Sequence, residues 1–315
     1  MSAPPRISIV ITALEKGLSG LAEGLAQVIQ SGDEVLLASR DPIWLSRAQD
    51  LARQAGPGHQ ALVGGRAQAA NQARGEVILF LEADWRPQPA LLDAVRVAFT
   101  QPEPPAALAL PLGLVSPASP WADLAGLDLA WDQQRLGPPQ DCGLAVARRE
   151  LLAAGGLDPD REPGGADLFG LWLRLEEMGR PLAELERAEL RLPAPAGFWG
   201  AMELAWDRAR RLYSRLRLGG PARRGVGNVA LQVGLWLLAL GLLAAFATAR
   251  QPERGLSLAA ICLLLLYYSN RSWLRWLGDG RPDLLGRALV YGLLRPLAWL
   301  GGMLTGLGER LGGKA

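Results

Sequence analysis

From Ile7 to Thr100 short apolar or β-branched runs alternate with segments of helical spacing. ISIVITAL (Ile7–Leu14), DEVLLAS (Asp33–Ser39), QALVGG (Gln60–Gly65) and EVILFLEAD (Glu76–Asp84) read as strands. GLAEGLAQVIQ (Gly20–Gln30), WLSRAQDLARQAG (Trp44–Gly56), RAQAANQAR (Arg66–Arg74) and PALLDAVRVAFT (Pro89–Thr100) read as helices. Strand and helix in turn predict an α/β fold with a mostly parallel sheet. Each parallel pair needs a crossover, and the crossover helices cover both faces. Such sheets bind ligands at the carboxyl ends of their strands.

After this region the alternation loosens. PWADLAGLDLAWDQQ (Pro120–Gln134) reads as a helix, and DCGLAVARRELLAAGGLD (Asp141–Asp158) as a strand followed by a short helix. ADLFGLWLRLEEMG (Ala166–Gly179) is a helix ending at Gly, and LAELERAELRL (Leu182–Leu192) is strand-rich. QPEPPAALALP (Gln101–Pro111) reads as a Pro-rich connection. The first unit is expected to span residues 1–195.

The remainder of the chain changes character. Asn228–Ala249 carries no charge over about the ~20 residues that a bilayer span needs. Leu256–Ser269 is shorter and equally apolar, and RQPERG joins the two tightly. A membrane hairpin is expected, with spans at about 228–249 and 255–270 in a membrane region covering 226–315. Leu284–Leu307 carries Arg287 and Arg295 and fits either an interfacial helix or a third span. Segment 196–225 has an apolar stripe through Phe198, Met202, Ala205, Trp206 and Ala209, with arginines opposite. This pattern suits a helix lying on an anionic membrane surface. Trp199, Trp206, Trp273, Trp276 and Trp299 lie beside the apolar runs, where an aromatic belt would sit. Arginines crowd both outer flanks of the hairpin while its turn holds Arg250 and Arg254. The bias places the first unit in the cytoplasm, at the inner membrane.

Bulk properties narrow the function classes. A net charge of +2 on 315 residues gives no reason to expect nucleic acid. Two cysteines, Cys142 and Cys262, make no disulfide framework and suit a reducing compartment. The single histidine, His59, rules out a His-rich metal site. The N-terminus does not read as a signal peptide.

Within VILFLEADWRP (Val77–Pro87) an unbroken apolar strand runs into two carboxylates one residue apart. If the chain turns there, both face one site. Their hard oxygens suit Mg²⁺ or Mn²⁺, which binds through few carboxylates plus substrate phosphates. Glu82 and Asp84 are therefore candidate metal ligands beside a diphosphate.

The order of motifs adds to this. Gly65 and Arg66 precede Asn71, then Ala73, Gly75 and Glu76 lead into VILFL and Glu82-Ala83-Asp84. Later come CGLAVARRELLAAGGLD and GGADLFGLWLRLEEMG. From about Arg6 to Leu192 the chain resembles family 2 glycosyltransferases of the GT-A fold. The resemblance implies an inverting transferase that moves a sugar from a nucleoside diphosphate to an acceptor hydroxyl. Asp84, with Glu82, would contact the metal and diphosphate, and Asp167 would be the general base. Thr12, Ala13, Ser39 and Asp41 would border the nucleoside, with Arg66 and Asn71 completing the donor site. The chain departs from the family pattern at Ser39, where an Asp is usual, at Glu82 for the first Asp, and at Ala166 for a Glu. It lacks the Q-x-x-R-W motif of processive membrane synthases, so a non-processive enzyme with a lipid or glycan acceptor is expected. A degenerate, non-catalytic membrane scaffold and a nucleotidyltransferase are the competing readings.

Overall fold

The computed structural model describes residues 4–14, 32–56, 58–115, 119–136, 142–158, 167–187, 190–215, 222–248 and 252–311. The helix expected over Gly20–Gln30 and the departure at Ala166 lie outside these residues. The chain divides into two units. One comprises Met1–Ser116 with Gly137–Ala194, the other Pro117–Leu136 with Pro195–Ala315. The helix expected at Pro120 thus belongs with the C-terminal helices, although it interrupts the first unit in sequence.

The first unit is built on nine strands: β1 (Ile7–Thr12), β2 (Glu34–Ser39), β3 (His59–Val63), β4 (Val77–Glu82), β5 (Arg86–Pro87), β6 (Ala107–Leu114), β7 (Cys142–Ala147), β8 (Leu182–Glu184) and β9 (Leu190–Leu192). Their order is β3-β2-β1-β4-β7-β6-β9-β5, with β8 also on β6. β3, β2, β1 and β4 run parallel, as the alternation implies. The sheet as a whole is mixed. β7 lies antiparallel to both β4 and β6, which share a direction and leave a gap one strand wide between them. β5 is antiparallel to β9.

The expected Pro-rich connection holds only to Ala106; from Ala107 the chain is β6. Pro111 sits in this strand without breaking it. On its β8/β9 side, pairing with β8 stops at Ala109 and pairing with β9 starts at Leu112. The missing N–H of proline falls in that interval, where no ladder bond is lost.

The helices of this unit are α1 (Pro42–Ala55), α2 (Arg66–Gln72), α3 (Leu91–Phe99), α5 (Arg148–Ala153) and α6 (Asp167–Glu177); α4 (Pro120–Leu136) belongs to the second. Val10, Leu36, Ile78, Phe80, Leu144 and Val146 form one face of the sheet. They pack on Ala69 and Ala70 of α2, Leu151 of α5, and Leu171 and Leu175 of α6. Ile9 and Ile11, on the other face of β1, are equally buried. Burial on both faces is why β4 reads as an unbroken apolar run and β1 as a β-branched one interrupted only by Ser8. Each such side chain contributes about 1.5–3 kcal/mol.

Polar contacts lock the entrance to these strands. The Ser8 hydroxyl donates to Glu34 at 2.6 Å and accepts from the Gly75 N–H at 2.7 Å. A Cβ on Gly75 would lie 2.6 Å from the Ser8 nitrogen and 2.8 Å from the Arg6 oxygen, so only glycine fits. Arg96 of α3 forms a buried ion pair with Asp33, whose other oxygen accepts from Ile7 N–H at 3.0 Å.

The second unit is helical: α4, α7 (Phe198–Arg215), α8 (Ala222–Thr248), α9 (Pro252–Ser269), α10 (Arg271–Gly280) and α11 (Leu285–Leu311). α8 and α9 pack as a hairpin through Ala239, Ala259 and Cys262, and Gly255 leaves room for Phe246. α7 packs on α11. A Cβ on Gly301 would enter the Trp206 ring, and one on Gly302 would lie 2.2 Å from the Trp206 carbonyl oxygen. Met202, Ala205 and Ala209 are buried, so protein covers much of the stripe expected to face lipid. Two tryptophans of the expected belt, Trp273 and Trp299, are buried as well. They flank the Arg295 guanidinium, each ring centre 5.7 Å away.

Asp128, fully buried on α4, organises this unit. It pairs with Arg208 of α7 at 3.1 Å, with Arg295 of α11, and accepts from the Tyr291 hydroxyl at 3.2 Å. Arg208 also reaches Asp132 at 2.6 Å. Arg208 and Arg295, expected on basic surfaces, are thus buried in an internal network. Among the described helices, one run has the length and apolarity to cross a membrane: Pro282–Gly308, whose span was the open question in the sequence. The apolar stretch in α8, Ala230–Phe246, is shorter, and the expected pair at 228–249 and 255–270 does not stand out by that measure.

Asp128→Ala should cost about 3–5 kcal/mol, because it takes from the buried Arg295 its carboxylate and leaves Arg208 with Asp132 alone. Asp50→Ala, which breaks the exposed pair with Arg53, should cost no more than about 1 kcal/mol. Thermal denaturation in detergent compares the two.

Candidate functional site

Four adjacent parallel strands finish at one edge. β1 ends at Thr12, β2 at Ser39, β3 at Val63 and β4 at Glu82, and the register sets Thr12 beside Glu82 and Ser39 beside Val63. The loops leaving this edge carry Ala13, Asp41, Arg66 and Asp84. This is the carboxyl edge at which such sheets place ligands.

The Ala83 N–H donates to the Thr12 oxygen at 2.9 Å, extending the β1–β4 ladder one step. The Trp85 N–H then donates to the Glu82 oxygen at 3.1 Å and closes a turn with Ala83 and Asp84 at its centre. This turn keeps Glu82 and Asp84, both half-buried, at the strand end. Trp85 and Pro87 are buried and anchor the far side of the turn, while Arg86 between them is exposed.

Arg66 opens α2, directly after β3. The preceding Gly64 has φ +140°, and the Gly65 N–H is capped by the Gln68 side chain at 2.9 Å. The Arg66 Nη1 donates to Asp167 Oδ1 at 2.5 Å, and its Nη2 donates to Thr12 Oγ1 at 3.2 Å. Asp167 opens α6, where a carboxylate also suits the helix dipole. The side chains of Arg66 and Asp167 are only 13% and 9% exposed, and Arg66 Nε is buried with no hydrogen-bond acceptor among the described residues. Thr12, Arg66 and Asp167 therefore meet at one point, next to the strand end that carries Glu82.

The other candidates are placed differently. Ser39 Oγ accepts from the Asp41 N–H at 3.1 Å, and the Asp41 carboxylate caps α1, accepting from Ile43 N–H at 2.8 Å and Trp44 N–H at 3.4 Å. Both side chains shape the β2–α1 turn. Asn71 is exposed on α2, five residues beyond Arg66 and so about 140° around the helix from it. Arg174 donates to the carbonyls of Ala154 and Gly156, at 3.2 and 2.6 Å, and holds the loop after α5. The union of Arg66 with Asp167, 101 positions apart, had no local signal in the sequence.

Among the described residues no group of three or more His, Cys, Asp or Glu side chains is gathered for a metal ion. The Glu82–Asp84 turn offers two hard carboxylates. That fits a Mg²⁺- or Mn²⁺-type cation whose remaining ligands come from phosphate and water. It does not fit a closed all-protein cage.

Ala13 follows Thr12 with φ +57°, the one described non-glycine residue with positive φ. The left-handed region costs an L-residue about 1–2 kcal/mol. Strain of this kind at a strand end is held in place by its surroundings. Ala13→Gly should stabilise the fold by about 0.5–1 kcal/mol, after the entropy that glycine loses on folding. Chemical denaturation of the purified protein measures this.

No family model matches the chain, and no curated protein matches its sequence. Solved structures do match. The mannosyltransferase PcManGT from Pyrobaculum calidifontis, solved in complex with GDP-Man and Mn²⁺, is 15% identical with a TM-score of 0.56, covering 98% of this chain and 89% of that one. Glucosyl-3-phosphoglycerate synthase from Mycobacterium tuberculosis, solved with Mn²⁺, UDP and phosphoglyceric acid, is 15% identical with a TM-score of 0.43. That match covers 67% of this chain and 78% of the synthase. The first likeness, with the mixed sheet and its parallel β3-β2-β1-β4 edge, shows that this chain has a GT-A-like glycosyltransferase fold.

Proposed function

We propose that the chain is a metal-dependent, non-processive glycosyltransferase that takes a nucleoside-diphosphate sugar and transfers the sugar, with inversion, to a lipid or glycan hydroxyl. The observation that carries this reading is the meeting of Thr12, Arg66 and Asp167 beside the Glu82–Asp84 strand end. The mannosyltransferase of similar fold was solved with GDP-Man and Mn²⁺, which supports a donor and cation of this class.

In this reading Glu82 and Asp84 hold Mg²⁺ or Mn²⁺, which when bound neutralises charge on the diphosphate leaving group. Thr12 and Ala13 border the nucleoside, with Ser39 and Asp41 shaping the neighbouring turn. Arg66 supplies planar N–H donors matched to phosphate oxygens. Asn71 stays a candidate donor contact, carried by the family resemblance alone. Asp167 accepts the acceptor proton as the hydroxyl oxygen bonds to the anomeric carbon. The bond from that carbon to the diphosphate oxygen breaks, and the nucleoside diphosphate leaves.

Calorimetry of the detergent-purified protein with GDP and with UDP, in Mn²⁺ and in EDTA, tests the reading. Metal-dependent binding of at least one nucleotide is expected. Asp84→Asn should weaken it about tenfold or more, while Asp167→Asn should bind no more weakly than wild type and lower transfer by about 10²–10⁴. Absence of metal-dependent binding to either nucleotide would sink the enzyme reading and favour a non-catalytic scaffold.

We also propose that the second unit anchors the protein in the inner membrane, with the first unit on the cytoplasmic side. The supporting observation is the exposure of Leu231, Leu237, Leu256, Leu264, Tyr268 and Leu304 on α8, α9 and α11. This is more large apolar surface than a water-facing helical unit tolerates. Membranes from expressing cells should retain the protein through alkaline carbonate and release it in detergent. Release by carbonate would contradict a span.

A further inference from the structure

Arg66 serves two groups at once. Its Nη1 holds Asp167 Oδ1 at 2.5 Å, and its Nη2 holds Thr12 Oγ1 at 3.2 Å. The contact fastens the first residue of α6 to the last residue of β1. It also commits one oxygen of the carboxylate that is to receive a proton. Among the described residues nothing accepts from the Arg66 Nε, which is buried. Arginine has five N–H donors in a planar fork, and phosphate oxygens accept such a fork bidentately. The same side chain is therefore bonded to the proposed base and carries the fork that an anion's oxygens match.

We infer that Arg66 is an exchangeable clamp: without donor it pins Asp167 to the end of β1, and the diphosphate of an incoming donor takes over the guanidinium and frees Asp167 for the acceptor. This deepens the glycosyltransferase reading and rests on it. The clamp couples the two halves of the reaction. Asp167 is withheld until the leaving group is in place, so an acceptor arriving first meets a carboxylate still bonded to Arg66. Arg66 is a positioning residue toward Asp167 and a direct contact of the diphosphate. Lysine cannot replace it, because a single ammonium on a flexible stem lacks the fixed fork.

Competition gives the clamp a signature that a merely structural ion pair lacks. Calorimetric titration of the full chain in detergent with Mn²⁺ and GDP or UDP compares wild type, Asp167→Asn, Arg66→Lys, Arg66→Ala and the double variant Arg66→Ala/Asp167→Asn. Asp167→Asn should bind the nucleotide about tenfold tighter than wild type, within the usual range of coupling between sites. A gain in affinity cannot come from a misfolded protein. Arg66→Lys and Arg66→Ala should each bind more weakly. In the Arg66→Ala background, Asp167→Asn should no longer change the affinity. Unchanged or weaker binding by Asp167→Asn, or a gain that persists without Arg66, overturns the clamp. If wild type binds neither nucleotide, the glycosyltransferase reading falls first. If wild type binds and Asp167→Asn gains nothing, the clamp alone falls.

Discussion

The carboxyl edge depends on the register between β1 and β4. Ile7 pairs with Val77 and the match continues to Thr12 beside Glu82. In a half-buried strand a slip of one residue would turn apolar side chains to water, and that cost sets the register. β1 and β4 are buried on both faces, so apolar patterning penalises a slip far less. The entrance contacts supply what patterning does not. The Ser8 hydroxyl bridges Glu34 and the Gly75 N–H, and the missing Cβ of Gly75 lets its backbone lie against Arg6 and Ser8. These contacts work at one end of the strands, and their consequence is read at the other. Thr12 comes level with Glu82, within reach of Arg66, and through Arg66 with Asp167.

The helical unit answers a different constraint. A guanidinium inside apolar packing is costly unless it is paired and its N–H groups are satisfied. Asp128 meets that need for Arg208 and Arg295 together, with Asp132 sharing Arg208. Three helices distant in sequence, α4, α7 and α11, are thereby tied to one carboxylate. α4, which lies between two stretches of the first unit in sequence, carries the acids that the arginines of α7 and α11 pair with. Arginines near an apolar run looked like a membrane-facing surface. Two of them are better described as internal connectors.

Local periodicity made the parallel half of the sheet legible, because each strand and crossover helix in it is contiguous. It showed β7 as a strand but not its antiparallel place, which follows from the gap between β4 and β6 rather than from its own residues. It also hid β6, because Pro111 reads as a break until the interval between its two partner strands is known. At the candidate site, the place of Glu82 and Asp84 at a strand end was legible from the strand-to-acid transition. Asp167 and Arg66 were legible as candidates one by one, through the family resemblance. Their bond was not, since a contact across 101 positions depends on the sheet order. Asp41 shows the opposite case: as the residue before Pro42 it carried an N-cap signal that the donor-site reading passed over.

The departures from the family pattern follow a physical logic in this fold. With Ser39 in place of the usual Asp, the end of β2 contributes a hydroxyl that is already engaged with the Asp41 backbone. The negative charge of the edge is then concentrated at Glu82 and Asp84 on one side and Asp167 on the other, with Arg66 bonded to the latter. A nucleoside diphosphate is itself an anion. Brought to two carboxylates one residue apart, it meets like charge at short range, where the repulsion is strongest. A divalent cation between them converts that repulsion into attraction. Under the glycosyltransferase reading, a metal held by this pair of acids would offset that repulsion.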